Sequence, residues 1–87
     1  MFDWNDLRFF LAIAREGSTL GAAKTLNVSQ PTVQRRIAAL EQSIRRELVE
    51  RHPTDYRLTE FGKALVPHAE EVERSVAALG RQITSGG

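Results

Sequence analysis

Residues 22 to 31 read AAKTLNVSQP, and few folds accommodate that run. Asn27 tolerates the left-handed backbone that a tight turn needs, and Ser29 suits a helix N-cap. Pro31 belongs in a first helical turn, where its missing N–H costs nothing. Helical patterns lie on both sides. Upstream, Ser18 or Thr19 caps a short helix through Gly21 to Leu26, whose small Ala22 and Ala23 let another helix approach closely. Downstream, Val33, Ile37, Leu40 and Ile44 recur at helical spacing and face inward to about Arg46, with Val28 plugging the turn. Thr32, Gln34, Arg35, Arg36 and Gln42 fall on the outward face. Two helices, a tight turn and a polar start to the second helix are the pattern of a helix-turn-helix, here over about residues 18–37.

The flanks complete a small mainly α domain. Trp4, Leu7, Phe10, Leu11 and Ala14 form the core-facing stripe of a first helix, capped by Asp3 or Asn5 and ending near Gly17. At that spacing the aromatics are core rather than a ligand pocket. Two short alternating runs, within about residues 48–58, surround the polar turn His52-Pro53-Thr54-Asp55 and predict a small hairpin that must lean on the helices. Thr59 then caps a last helix over residues 60–85. In it Leu65, Ala69, Val72, Val76, Leu79 and Ile83 repeat at alternating spacings of four and three, a heptad-like seam that Pro67 should kink or restart. Ser85-Gly86-Gly87 has the composition of a linker, so residues 86–87 are expected to be a flexible end.

Eighty-seven residues without cysteine predict one domain held by packing, with neither disulfides nor thiolate metal sites. His52 and His68 lack acids or cysteines at ligand spacing, so neither a metal nor a cofactor is expected. Ser18, Thr25 and Ser29 have no base-and-orienter set beside them, so no catalytic residue and no enzyme is predicted. The acidic, non-basic N-terminus argues against a signal peptide or membrane span and makes the cytoplasm the default location. Charge is unevenly placed. Residues 24–63 hold eight Lys or Arg against five acids, while each flank holds two bases against three acids. An anionic partner would meet the middle of the chain. If the third helix enters a DNA major groove, its N-terminal residues face bases and phosphates and its dipole favours the anionic backbone.

An ordered set of residues carries a family resemblance. Phe9-Phe10, Ala12 and Ala14, Glu16-Gly17-Ser18, Ala22-Ala23, Leu26, Val28-Ser29-Gln30-Pro31, Arg35, Ile37, Leu40-Glu41, Leu48, Glu50-Arg51, Leu58-Thr59, Gly62 and Pro67-His68-Ala69 together resemble the DNA-binding region of LysR-type transcriptional regulators. The resemblance implies a winged helix-turn-helix over residues 1–59, with a three-helix core and a β-hairpin wing, followed by a linker and dimerisation helix over 60–85. It further implies binding to double-stranded promoter DNA as a homodimer or tetramer, with no membrane association. A larger ligand-sensing domain would follow, so these residues are expected to be the DNA-binding and linker portion of a longer regulator, with no small-molecule site of their own.

Carried over by position, the resemblance assigns DNA contacts to Ser18, Ser29, Gln30, Pro31, Thr32, Gln34, Arg35, Arg36, Arg51 and Arg57. Pro31 would touch a thymine methyl and Gln30 would donate and accept on an adenine. Gln34 stands where serine is common and Arg36 where glutamine is common, which raises the local charge. The glycine that usually ends the recognition helix is replaced by Ile44-Arg45-Arg46, so the helix is expected to run on. Val49 replaces a frequent phenylalanine and leaves less volume under the wing. Asp55 in the wing turn would repel phosphate. Arg45 and Arg46 are as readily a solvated face paired with Glu41, Glu47 or Glu50 as DNA contacts. The seam residues Leu65, Ala69, Val72, Val76, Leu79 and Ile83 are expected to join two copies. A different class of function fits the same fold: a protein–protein module that uses it only to dimerise.

Overall fold

The computed structural model describes residues 2–53 and 55–85; Thr54 of the expected wing turn and the expected flexible end at 86–87 lie outside them. The elements are α1 (Trp4–Glu16), α2 (Thr19–Leu26), α3 (Gln30–Ile44), β1 (Val49–Arg51), β2 (Tyr56–Leu58) and α4 (Glu60–Ser85). This is the mainly α winged helix-turn-helix that the sequence predicts. Side-chain caps start each helix. Asp3 accepts from the Asn5 N–H at 2.8 Å, Ser18 from Gly21 at 3.0 Å, Ser29 from Thr32 at 3.3 Å and Thr59 from Gly62 at 3.0 Å. The turn between α2 and α3 places Asn27 at φ 58°, in the left-handed region. Val28 does not plug that turn: it is 36% exposed, whereas Ala22, Ala23 and Val33 are buried.

The third helix does not run on. It stops at Ile44 because Arg45 itself adopts the left-handed conformation at φ 58°, with its N–H bonded to the Glu41 carbonyl. For a residue with a Cβ that conformation costs about 1–2 kcal/mol. The burial that the reversal permits outweighs the cost. It carries the chain back so that Leu48 and Val49, 0% and 2% exposed, enter the core beside Phe10, Ile13, Ile37 and Leu40. Each such side chain contributes about 1.5–3 kcal/mol on burial.

At Leu48 three elements meet. Two backbone N–H groups, of Leu48 at 2.8 Å and of Val49 at 3.3 Å, donate to Oε2 of Glu41 on α3. The Leu48 carbonyl accepts from the Thr59 N–H at 3.0 Å, while the Thr59 hydroxyl donates to the Glu47 carbonyl at 2.8 Å. A Cβ at position 62 would collide with the Leu48 carbonyl oxygen, so Gly62 lets α4 start against that strand. The wing is antiparallel, pairing Val49 with Leu58, Glu50 with Arg57 and Arg51 with Tyr56. The His52 N–H closes its turn on the Asp55 carbonyl at 2.9 Å.

Helix α4 has 26 residues, roughly 39 Å at ~1.5 Å per residue, and accounts for the long axis of a 48 × 25 × 19 Å particle. Pro67 lies inside it without ending it. Ala69, 2% exposed, packs into the domain, and Leu65 is partly buried against the same core. One turn later the Arg15 guanidinium grips Glu73 in bidentate fashion at 2.6 and 2.9 Å, with Glu70 at 3.7 Å. These hydrogen bonds hold the Glu73 carboxyl below its usual range. The expected seam therefore divides. Leu65 and Ala69 belong to their own domain, whereas Val72, Val76, Leu79 and Ile83 rise from 37% to 70% exposure along the helix. No helix among the described residues is long and apolar enough to cross a membrane.

Candidate nucleic-acid interface

The polar start of α3 is a linked set of donors. The Ser29 and Thr32 hydroxyls lie 2.9 Å apart, and the Arg35 guanidinium donates to the Thr32 hydroxyl at 3.3 Å. Gln30, Pro31, Gln34 and Arg35 are exposed. Because Val33, Ile37 and Leu40 are at most 1% exposed on the opposite face, the polar side has one direction to face. The α3 dipole adds positive potential at the same end. Among the described residues Arg35 has no carboxylate within ion-pair distance.

The other expected arginines are placed differently. Arg36 reaches back to Asp6 of α1, 3.3 Å from Oδ1. Asp6 is 7% exposed and that oxygen has no aligned hydrogen bond, so Arg36 offsets a buried negative charge rather than adding a free positive one. Arg51 pairs with Oε1 of Glu41 at 3.2 Å and stands 5.6 Å from the Tyr56 ring centroid. Arg57 pairs with Asp55 at 3.4 Å. That pairing also tempers the repulsion expected of Asp55. The guanidinium of Arg46 sits 3.9 Å above the Phe61 ring and Arg45 forms the helix end, so neither makes the helical ion pairs considered for it.

Ser18, Gln30 and Gln34 do come together. With Thr19 they line a cleft of about 380 Å³ whose other side is the wing, through His52, Pro53, Asp55 and Tyr56. Arg51 and Arg57 do not line it. Ser18 acts through its cap, and the Thr19 hydroxyl donates to Oε1 of Gln30 at 3.1 Å. Such an arrangement suits a ligand with phosphates for the guanidinium and hydroxyls and with planar acceptor edges for the amides.

Sequence reasoning passed over three side chains that build this surface. Asp6 had a signal, since it precedes Phe9 and Phe10 by three and four residues and so lies on the core stripe, where an acid requires a cation. Glu41 was read as a surface ion-pair partner, yet its main role is to accept two backbone N–H groups. Thr19 was read as an alternative cap.

Known proteins share both sequence and shape with this chain. The signature of a family described as bacterial regulatory helix-turn-helix protein, lysR family, matches residues 4–63. An uncharacterized HTH-type transcriptional regulator of Azotobacter vinelandii is 43% identical over 70 residues, 80% of this chain and 49% of that protein. The HTH-type transcriptional regulator TfdS of Cupriavidus pinatubonensis is 40% identical over 79 residues, 91% of this chain and 25% of that protein. The chain thus spans half or less of the length of these relatives. Among solved structures, the CbnR DNA-binding domain in its DNA complex is similar with a TM-score of 0.90 and 30% identity, covering 98% of both chains. The BenM DNA-binding domain on its benA site 1 DNA gives 0.89 and 26%, covering 99% of this chain and 100% of that one.

The Glu41 carboxylate generates a prediction about what holds the wing. Glu41→Ala strands two buried N–H groups and should lower the unfolding free energy by about 1–3 kcal/mol. Arg51→Ala, which removes the half-exposed ion pair and the approach to the Tyr56 ring, should cost less than about 1 kcal/mol. Urea unfolding of both variants checks the order, and equal losses would show that the ion pair, not backbone capture, is the main contribution.

Proposed function

This chain belongs to the LysR family of bacterial regulatory helix-turn-helix proteins, and from that membership we propose that it binds double-stranded promoter DNA sequence-specifically, with α3 in the major groove. The observation that carries the reading is the exposed start of α3, where Ser29, Gln30, Pro31, Thr32, Gln34 and Arg35 stand together and Arg35 has no carboxylate partner among the described residues. The likeness to DNA-binding domains solved on DNA supports it. In this reading Arg35 and the Ser29 and Thr32 hydroxyls meet phosphates, while Gln30, Pro31 and Gln34 meet base edges. Arg51 and Arg57 approach the backbone from the wing only by loosening their pairs with Glu41 and Asp55. Arg36 contributes chiefly to stability through Asp6.

The domain division follows: residues 1–59 read DNA, and 60–85 link and dimerise. Dimerisation uses the exposed ridge Val72, Val76, Leu79 and Ile83, and with it the adjoining apolar groove lined by Phe2, Phe61, Leu65 and Val72. Two copies then present two recognition helices to paired half-sites, a two-fold arrangement suited to a palindromic operator. The whole regulator adds a ligand-sensing domain, assembles as a dimer or tetramer and acts in the bacterial cytoplasm. Its part in transcription is binding, without catalysis.

The rival reading, a winged-helix module that dimerises without DNA, fails or stands on salt dependence. DNA binding should weaken steeply as salt rises, because each phosphate neutralised releases a counterion. Fluorescence anisotropy that shows no duplex binding at low salt would leave only the rival. Arg35→Ala should weaken binding to all duplexes and reduce the salt slope by about 1, while Gln30→Ala mainly relaxes sequence preference. Equal loss of specific and non-specific affinity in both variants would contradict that division of roles. For the ridge, Leu79→Asp should shift the chain toward monomer in sedimentation, and a parent chain already monomeric at high concentration would refute the dimer.

A further inference from the structure

We infer that Thr19 is a specificity-determining positioning residue: its hydroxyl orients the Gln30 carboxamide so that the amide N–H groups face the DNA. This rests on the DNA-binding reading and deepens it. Gln30 is the first residue of α3 and is exposed, whereas Thr19 is the first residue of α2 and only 8% exposed. Glutamine has three rotatable side-chain bonds, and an exposed one explores many rotamers. Here the Thr19 hydroxyl donates to Oε1 at 3.1 Å. The helix-turn-helix brings the two helix starts together, and the hydroxyl is held on a regular, capped element. The contact therefore belongs to the scaffold rather than to a mobile loop.

The consequence concerns base identity. A carboxamide is planar, so directing Oε1 to Thr19 turns Nε2 away from it, and the group presented outward is a donor. In the major groove guanine offers O6 and N7, adenine N7 and thymine O4, while cytosine offers only its N4 donor. An oriented Gln30 should accept the first three and reject cytosine. Both amide ends of a glutamine are needed to grip adenine through N6 and N7, and although Oε1 keeps a second lone pair, its being turned towards Thr19 weighs against that pairing. Guanine and thymine are thus favoured over the bidentate adenine contact expected from sequence alone.

The test combines site selection from random duplexes with anisotropy on the 87-residue chain. Thr19→Val keeps the shape and removes the hydroxyl, and Thr19→Ser keeps the hydroxyl. Thr19→Val should reduce the ratio of specific to non-specific affinity by roughly threefold to tenfold, the effect of releasing one ordered side chain. Its affinity for non-specific duplex should be unchanged, and Thr19→Ser should restore the ratio. In a Gln30→Ala background Thr19→Val should have no further effect. The proposal is overturned if Thr19→Val leaves the ratio unchanged, if it lowers both affinities together with the melting temperature, or if cytosine is selected opposite Gln30. Failure of the unaltered chain to bind any duplex would remove the DNA reading itself, whereas binding with a Thr19-independent preference removes only the role of Thr19.

Discussion

The peptide groups at Leu48 and Val49 are the constraint on which the other placements depend. Glu41 takes both N–H groups, Thr59 donates to the Leu48 carbonyl, and Gly62 makes room for that carbonyl. Recognition helix, wing and linker helix are thereby fixed to one another over a few residues. A two-stranded hairpin is not stable by itself, so its position has to be imposed from outside, and a carboxylate accepting two buried N–H groups is strong enough to do so. Leu48 and Val49, almost wholly buried, keep water from competing for those bonds.

Electrostatics then refine what the charge pattern suggested. Half of the eight central bases are paired inside the domain, Arg36 with Asp6, Arg51 with Glu41, Arg57 with Asp55 and Lys63 with Glu60, and Arg46 lies over the Phe61 ring. Among the described residues Arg35, at the α3 start, has no carboxylate partner. Long-range attraction to an anion is consequently modest, as a formal net charge of +1 also implies, and discrimination falls to hydroxyls and amides at short range. Away from α3, the bidentate Arg15–Glu73 contact ties α4 to the end of α1.

Much of this was legible in the sequence. Ser18, Ser29 and Thr59 announced helix starts by chemistry that acts within three residues, and the apolar spacing of Val33, Ile37 and Leu40 named the buried face. What could not be read depended on contacts distant in sequence. Arg45 gives no local sign that it will adopt a left-handed conformation; the burial of Leu48 and Val49 decides that. Val28 had the composition of a plug, yet it stands exposed while Ala22, Ala23 and Val33 are buried. Arg36 and Asp6 lie on different helices, so the ion pair between them is set by packing. The heptad seam was visible as a repeat, yet its division between core and exposed ridge required the length of α4 relative to the domain.

The start of α3, presented by the helix-turn-helix and the wing, is the surface expected to meet DNA. Amide and side-chain NMR of the chain titrated with a selected duplex tests it most directly. Chemical-shift changes and intermolecular contacts should concentrate on Ser29 to Arg35 and the facing edge of the wing, with Val72 to Ile83 undisturbed. Changes centred on Val72 to Ile83, with the start of α3 unaffected, would contradict it.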